Sequence, residues 1–165
     1  MRVLGIDPGT FNMGVGLVDA DGGGLALVHA GALSPPRSDA LARRLHHLYG
    51  SLIDLIGRYR PSVVAVEEPF VAKNVRAAMA VGQAQAIAMV AAAHCDLETF
   101  AYAPAQVKRA VTDYGASSKS QVQEMVKVLL ALPDDWDQPL DASDALAVAI
   151  CHVSASQVQE MVLEP

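Results

Sequence analysis

Short apolar runs broken by turn residues open the chain, and longer runs with helical spacing follow. Arg2 to Ile6 is a run that stops at the turn Asp7-Pro8-Gly9-Thr10, and Met13 to Asp19 is a second run with glycines at 14 and 16. Both predict strands. Gly22-Gly23-Gly24 predicts a hairpin turn and Leu25 to Leu33 a third strand, so the chain begins as an antiparallel meander that Pro35 and Pro36 stop. From Asp39 onward, Leu41, Leu45, Leu48, Leu52, Leu55 and Ile56 recur at the spacing of one helix face. That amphipathic helix ends near Gly57.

Ser62 to Val66 is a β-branched run closed by Glu67 and Glu68, the pattern of a strand buried on both faces and parallel to the first. A helix over Asn74 to Ala93 and a strand over Leu97 to Tyr102 follow. Pro104 begins a helix that ends at Gly115, and Ser117, Ser118 or Ser120 caps another that runs to about Leu130. Pro133 to Pro139 is an acidic, irregular loop, and the last helix starts near Asp141. The predicted fold is α/β: a five-stranded mixed sheet, three antiparallel strands then parallel βαβ units, with helices on both faces. It forms one domain over residues 1–165.

Composition narrows the setting. The 165 residues are 52% hydrophobic and 18% charged, which fits a globular domain and excludes disorder or a collagen. Two cysteines, Cys95 and Cys151, exclude a disulfide scaffold and a paired-cysteine metal motif. No signal peptide is legible at the start, so the expected location is cytoplasmic. Residues 77–95 carry no formal charge, but the stretch is mostly alanine with Gln83, Gln85 and His94. It predicts a buried helix of a soluble protein and no membrane.

The net charge is −6, unevenly spread. Six basic face seven acidic side chains over residues 1–68, six face four over 69–133, and none faces seven over 134–165. The acidic end is a candidate cation site, and the mildly basic middle a candidate polyanion surface.

Asp7 and Glu67 each follow an apolar run. If their strands are parallel neighbours, both carboxylates emerge at the carboxyl edge, where open α/β sheets bind ligands. Asp141 and Asp144 are three apart and share one helix face. Asp141 alone could be a helix cap, yet Ala142, Ala145, Leu146, Ala147, Val148 and Ile150 make this helix one that buries, and acids there need a cation. Four converging carboxylates repel one another unless two divalent ions balance them, and oxygen ligands favour Mg²⁺ or Mn²⁺. Two ions about 3.5 to 4 Å apart suit phosphodiester displacement.

GIDPGT at 5–10, EEPFVAKN at 67–74, GQAQ at 82–85, QVK at 106–108, SKSQVQ at 118–123 and DASDALAVAI at 141–150 occur together and in order. On these motifs the chain resembles the RuvC family of bacterial Holliday-junction resolvases along nearly its whole length. The resemblance implies a ribonuclease-H-like fold, a homodimer, and paired symmetric nicks across four-way junction DNA that leave 5′-phosphate and 3′-hydroxyl ends. It also implies the RuvA-RuvB branch-migration complex as a partner.

Carried over motif by motif, the family's metal-binding acids fall on Asp7, Glu67, Asp141 and Asp144, with two Mg²⁺ ions as cofactor and Mn²⁺ as a substitute. Glu68, beside Glu67, is a departure; it is expected to be secondary because successive strand residues point to opposite faces. The family's lysines fall on Lys108 and Lys119, assigned to phosphate contact and charge compensation. Phe70 resembles the aromatic inserted at the junction centre, with Lys73 and Arg76 near enough to hold phosphates. The small side chains of the helix over 74–93 are implied to help form the dimer interface. The five histidines are expected to be structural or solvated.

Two other classes remain open. Asp7-Pro8-Gly9-Thr10 also resembles the phosphate turn of actin-like and sugar-kinase ATPases, but those need a second such domain, for which 165 residues leave no room. A binding module that recognises branched DNA without cutting it would lack one of the acids, and all four are present.

Overall fold

The computed structural model describes residues 1–22, 24–69 and 74–163. Five strands, β1 (Arg2–Asp7), β2 (Met13–Asp21), β3 (Gly24–Leu33), β4 (Val63–Glu67) and β5 (Thr99–Tyr102), form one sheet in the order β3-β2-β1-β4-β5. β1 pairs antiparallel with β2 and parallel with β4, and β4 pairs parallel with β5. The predicted meander and βαβ units are therefore present. Five helices complete the chain: α1 (Leu41–Tyr59), α2 (Val75–His94), α3 (Pro104–Thr112), α4 (Lys119–Leu129) and α5 (Leu140–Leu163).

Strand alternation sorts the core into two layers. Leu4, Ile6, Met13, Val15, Leu17, Val64 and Val66 pack with Leu48, Leu52, Leu55 and Ile56 of α1 and the alanines of α2. Val3, Val18, Val63 and Ala65 face the other way, against α3, α4 and α5. This second face carries Gly5, Gly14 and Gly16, and α5 lies directly on them. A Cβ on Gly5 would stand 2.1 Å from the Ala145 carbonyl oxygen, and one on Gly14 would stand 1.9 Å from that of Asp141. Gly16 is opposite Gly5 in the β1–β2 register, and Gly14 is opposite Asp7. The glycines thus form a flat track for an alanine-rich helix, and the track ends at Asp7.

Local signals set several boundaries. Ser118, of the three candidate serines, caps α4: its Oγ accepts from the Gln121 N–H at 3.3 Å, and Gln121 Oε1 accepts from the Ser118 N–H at 2.8 Å. Ser117 is instead buried and bonds Thr112 Oγ1 at 2.7 Å. α3 stops at Thr112, before the predicted Gly115, because Asp113 takes the left-handed conformation at its C-terminus.

The helix expected to be buried, α2, is corrected by the structure. It packs through Ala84, Ala88, Ala91 and Ala92, while Val75, Met79, Met89 and Val90 are exposed. It is long and apolar enough to cross a membrane, with a mean hydropathy of 1.3 over its best window, of which 22% is buried. An apolar count along a sequence does not distinguish a helix enclosed on all sides from one docked along a single alanine stripe.

Candidate active site

Register and parity bring the acids together. Val3, Gly5 and Asp7 share the α5-facing side of β1, and Val63, Ala65 and Glu67 share it on β4. Asp7 and Glu67 are the last residues of adjacent parallel strands. Asp141 lies in the first turn of α5, which the Gly14 contact holds against the end of β1. Carboxylate oxygens of Asp7, Asp141 and Asp144 all lie within 4.8 Å of one another.

Negative charge is concentrated here on partly buried side chains. Burial is the largest influence on Asp7, and Glu67, Asp144 and Asp141 add to it, so its carboxyl is pushed up to about 8. Burial and Asp144 also raise Glu67, against the opposing pull of a bond from Asp7 and of Lys119 and Lys108. Asp7 and Glu67, joined by a hydrogen bond, therefore titrate as an interacting pair.

Two lysines face this set from the neighbouring helices. Lys119 Nζ is 2.5 Å from Asp144 Oδ2. Burial tends to lower the Lys119 ammonium, but the bond to Asp144 and the charges of Asp7 and Asp141 outweigh it, so the group is raised. Lys119 is also the first residue of α4, where the helix dipole disfavours a cation. The carboxylates offset that cost. Lys108 joins Glu67, Lys119, Asp144 and Val122 around a cavity of about 180 Å³ between α3, α4 and α5.

Of the other predicted residues, Glu68 is exposed and lies just beyond β4, its N–H bonded to the Tyr102 carbonyl. Arg76 is exposed in the first turn of α2. Phe70 and Lys73 lie outside the described residues. His152, expected to be structural or solvated, is buried and bonds the Tyr102 hydroxyl at 2.8 Å.

The cationic surface was expected in residues 69–133, yet Arg37 and Arg44 also gather beside the loop that follows Asp7. Helix periodicity could place Arg44 on a polar face; nothing in the sequence pairs it with that loop.

The donor set fits hard divalent cations. Its carboxylate oxygens converge within one ion's reach, and burial with the neighbouring carboxylates holds the Asp7 carboxyl well above the ordinary range.

A mixed sheet in this order, flanked by helices and carrying carboxylates at the carboxyl edge of its central strands, defines a ribonuclease-H-like nuclease fold. Sequence comparison makes the assignment specific. The model of the family described as crossover junction endodeoxyribonuclease RuvC matches residues 3–152, and the chain belongs to that family. Among its relatives, the crossover junction endodeoxyribonuclease RuvC of Dehalococcoides mccartyi is 48% identical over 154 residues, 93% of each chain. That of Rubrobacter xylanophilus is 49% identical over 150 residues, covering 91% of this chain and 83% of the relative. RuvC of T. thermophilus, solved in complex with a Holliday junction substrate, superposes with a TM-score of 0.89 at 32% identity, over 96% of each chain. A yeast mitochondrial Holliday junction resolvase shares the fold at 14% identity, with a TM-score of 0.63 over 96% of this chain and 82% of the other.

Proposed function

We propose that this chain, as a single nuclease domain, resolves Holliday junctions by metal-dependent hydrolysis of phosphodiester bonds. The observation that carries this reading is the convergence of carboxylates from β1, β4 and α5 at one sheet edge, with Lys119 among them and Lys108 beside them. Family membership supplies the substrate: the relatives are crossover junction endodeoxyribonucleases, and one was solved on a junction.

Asp7, Glu67, Asp141 and Asp144 would hold two Mg²⁺ ions, with Mn²⁺ as a substitute, and the ions would supply positive charge to stabilise the phosphodiester displacement. The chain's own residues do the rest. The rigid β1 and β4 ends fix Asp7 and Glu67, and the glycine track fixes Asp141 and Asp144 against them. Lys119 exchanges part of its contact with Asp144 for a phosphate oxygen, and Lys108 contacts the same strand from α3. Cleavage leaves 5′-phosphate and 3′-hydroxyl ends, which a ligase can seal.

Paired nicks need two such sites, and a homodimer provides them. Val75, Met79, Ala86 and Val90 form an exposed stripe along α2 at helical spacing, suited to a second copy of this chain. Phe70, Lys73 and Arg76 contact the junction centre and its phosphates, a role that rests on the family motif. A RuvA-RuvB complex is the partner implied by membership, and the cytoplasm is the place where DNA and that complex meet.

The test is incubation with a synthetic four-way junction and a matched linear duplex in Mg²⁺, Mn²⁺ or EDTA. Metal-dependent cutting of the junction with little cutting of the duplex supports the reading. Equal cutting of both, or full activity in EDTA, contradicts it. Glu67→Gln should abolish cutting and spare junction binding, whereas Glu68→Gln should retain most activity.

A further inference from the structure

The loop between β1 and β2 carries an aromatic ring that the acid cluster does not use. Phe11, four residues past Asp7, is 43% exposed. The guanidinium carbon of Arg44 stands 4.0 Å from its ring centroid, and that of Arg37 stands 5.7 Å away. Arg44 is fixed from two further sides: Nε donates to the Thr10 carbonyl at 3.2 Å and Nη1 donates to the Asp39 carbonyl at 2.6 Å. Carbonyl acceptors orient a guanidinium without cancelling its charge. Neither Arg37 nor Arg44 forms an ion pair with a carboxylate among the described residues.

A guanidinium has five N–H donors, and Arg44 commits two of them here. Its remaining donors and full charge, already ordered, suit a phosphate taken in a planar fork. Position indicates which phosphate. Polyanionic DNA approaching the carboxylates must be compensated on both sides of them. Lys108 and Lys119 provide this from α3 and α4, on one face of the sheet. Arg44 lies on α1, which packs on the opposite face.

We infer that Arg37 and Arg44, ordered against Phe11, form a phosphate clamp for the junction arm that passes the acid cluster on its β1–β2 side. This inference rests on the junction-cleaving function proposed above and specifies how the substrate strand is held there.

The test is junction affinity over a salt series in EDTA, for the wild type, Arg37→Gln, Arg44→Gln, Phe11→Leu and Arg43→Gln. Loss of one phosphate contact should reduce the salt slope by about 0.9 and lower affinity about five- to tenfold near 0.1 M salt, for Arg37→Gln and Arg44→Gln alike. Phe11→Leu keeps both charges, so it should keep the slope and weaken binding about two- to fivefold, the worth of the ring contact. Arg43 is exposed on the same helix turn and has no contact with the ring, so Arg43→Gln should titrate as wild type. Arginine variants with the wild-type slope overturn the clamp, as does an Arg43→Gln slope that falls equally. A wild type that neither binds nor cuts the junction overturns the proposed function instead, so the two failures are distinguishable.

Discussion

Lys119 Nζ lies 2.5 Å from Asp144 Oδ2, so α4 inserts a cation into the carboxylate cluster built by β1, β4 and α5. Lys119 is therefore an internal counter-charge as well as the candidate phosphate contact. Lys119→Gln should destabilise the protein in EDTA by about 1 kcal/mol, a melting temperature about 2–4 °C lower. Added Mg²⁺ should narrow that gap, since the ions replace the missing charge, while cleavage at saturating enzyme stays slow. Thermal melts with and without metal check this; a gap that widens in Mg²⁺ contradicts it.

Asp7 gives the metal-free protein an inverted pH dependence. The folded state holds its proton up to about 8, whereas the unfolded chain releases it near 3.8. The contribution of this group is complete below about 3.8 and is lost as pH rises through about 8, because the unfolded state binds fewer protons across that window. Asp7→Asn removes the titration. In EDTA the variant should match wild type near pH 4 and exceed it by on the order of 2 kcal/mol at pH 8. Denaturant melts at both pH values test the sign. A variant less stable than wild type at pH 8 contradicts it.

The glycine track makes a mechanical prediction. A Cβ on Gly14 would stand 1.9 Å from the Asp141 carbonyl oxygen, and backbone must move to admit it. Gly14→Ala should cost about 2–3 kcal/mol and slow cleavage by displacing Asp141. Gly22→Ala meets nothing within 4 Å and should leave both stability and rate near wild type. Unfolding curves and single-turnover cleavage read the two effects.

Much of this arrangement is legible in the sequence. Asp7 and Glu67 ended two apolar runs, and the parallel pairing inferred for those runs put both at one edge, as the register shows. Helix spacing puts Asp141 and Asp144 on one face, and the family motif DASDALAVAI assigns them to the site. What the sequence concealed was contact between distant segments. The choice of Ser118 over Ser117 as the α4 cap depends on Ser117 turning inward to Thr112. The stacking of Arg44 on Phe11 joins a loop to a helix more than thirty residues away, and no period in either segment records it. The sequence of α2 predicts an enclosed helix, but burial depends on its neighbours: α1 packs on one alanine stripe and Met79 is exposed.

That exposed stripe carries the dimer prediction. Met79→Glu places a charge in the middle of it, and burying an unpaired carboxylate costs several kcal/mol. The variant should run as a monomer by light scattering at concentrations where the wild type is a dimer, and should lose paired nicking. A wild-type monomer, or a variant dimer of unchanged affinity, contradicts the assignment of α2 to the interface.

Direct location of bound metal tests the central claim, that the four carboxylates are the metal-binding centre. Crystals of the wild type grown with Mn²⁺ should show two anomalous-scattering peaks about 3.5 to 4 Å apart among Asp7, Glu67, Asp141 and Asp144, and crystals of Asp7→Asn should lose at least one. Saturating Mn²⁺ that leaves this cluster without a peak, while the enzyme still requires metal to cut the junction, would contradict the account.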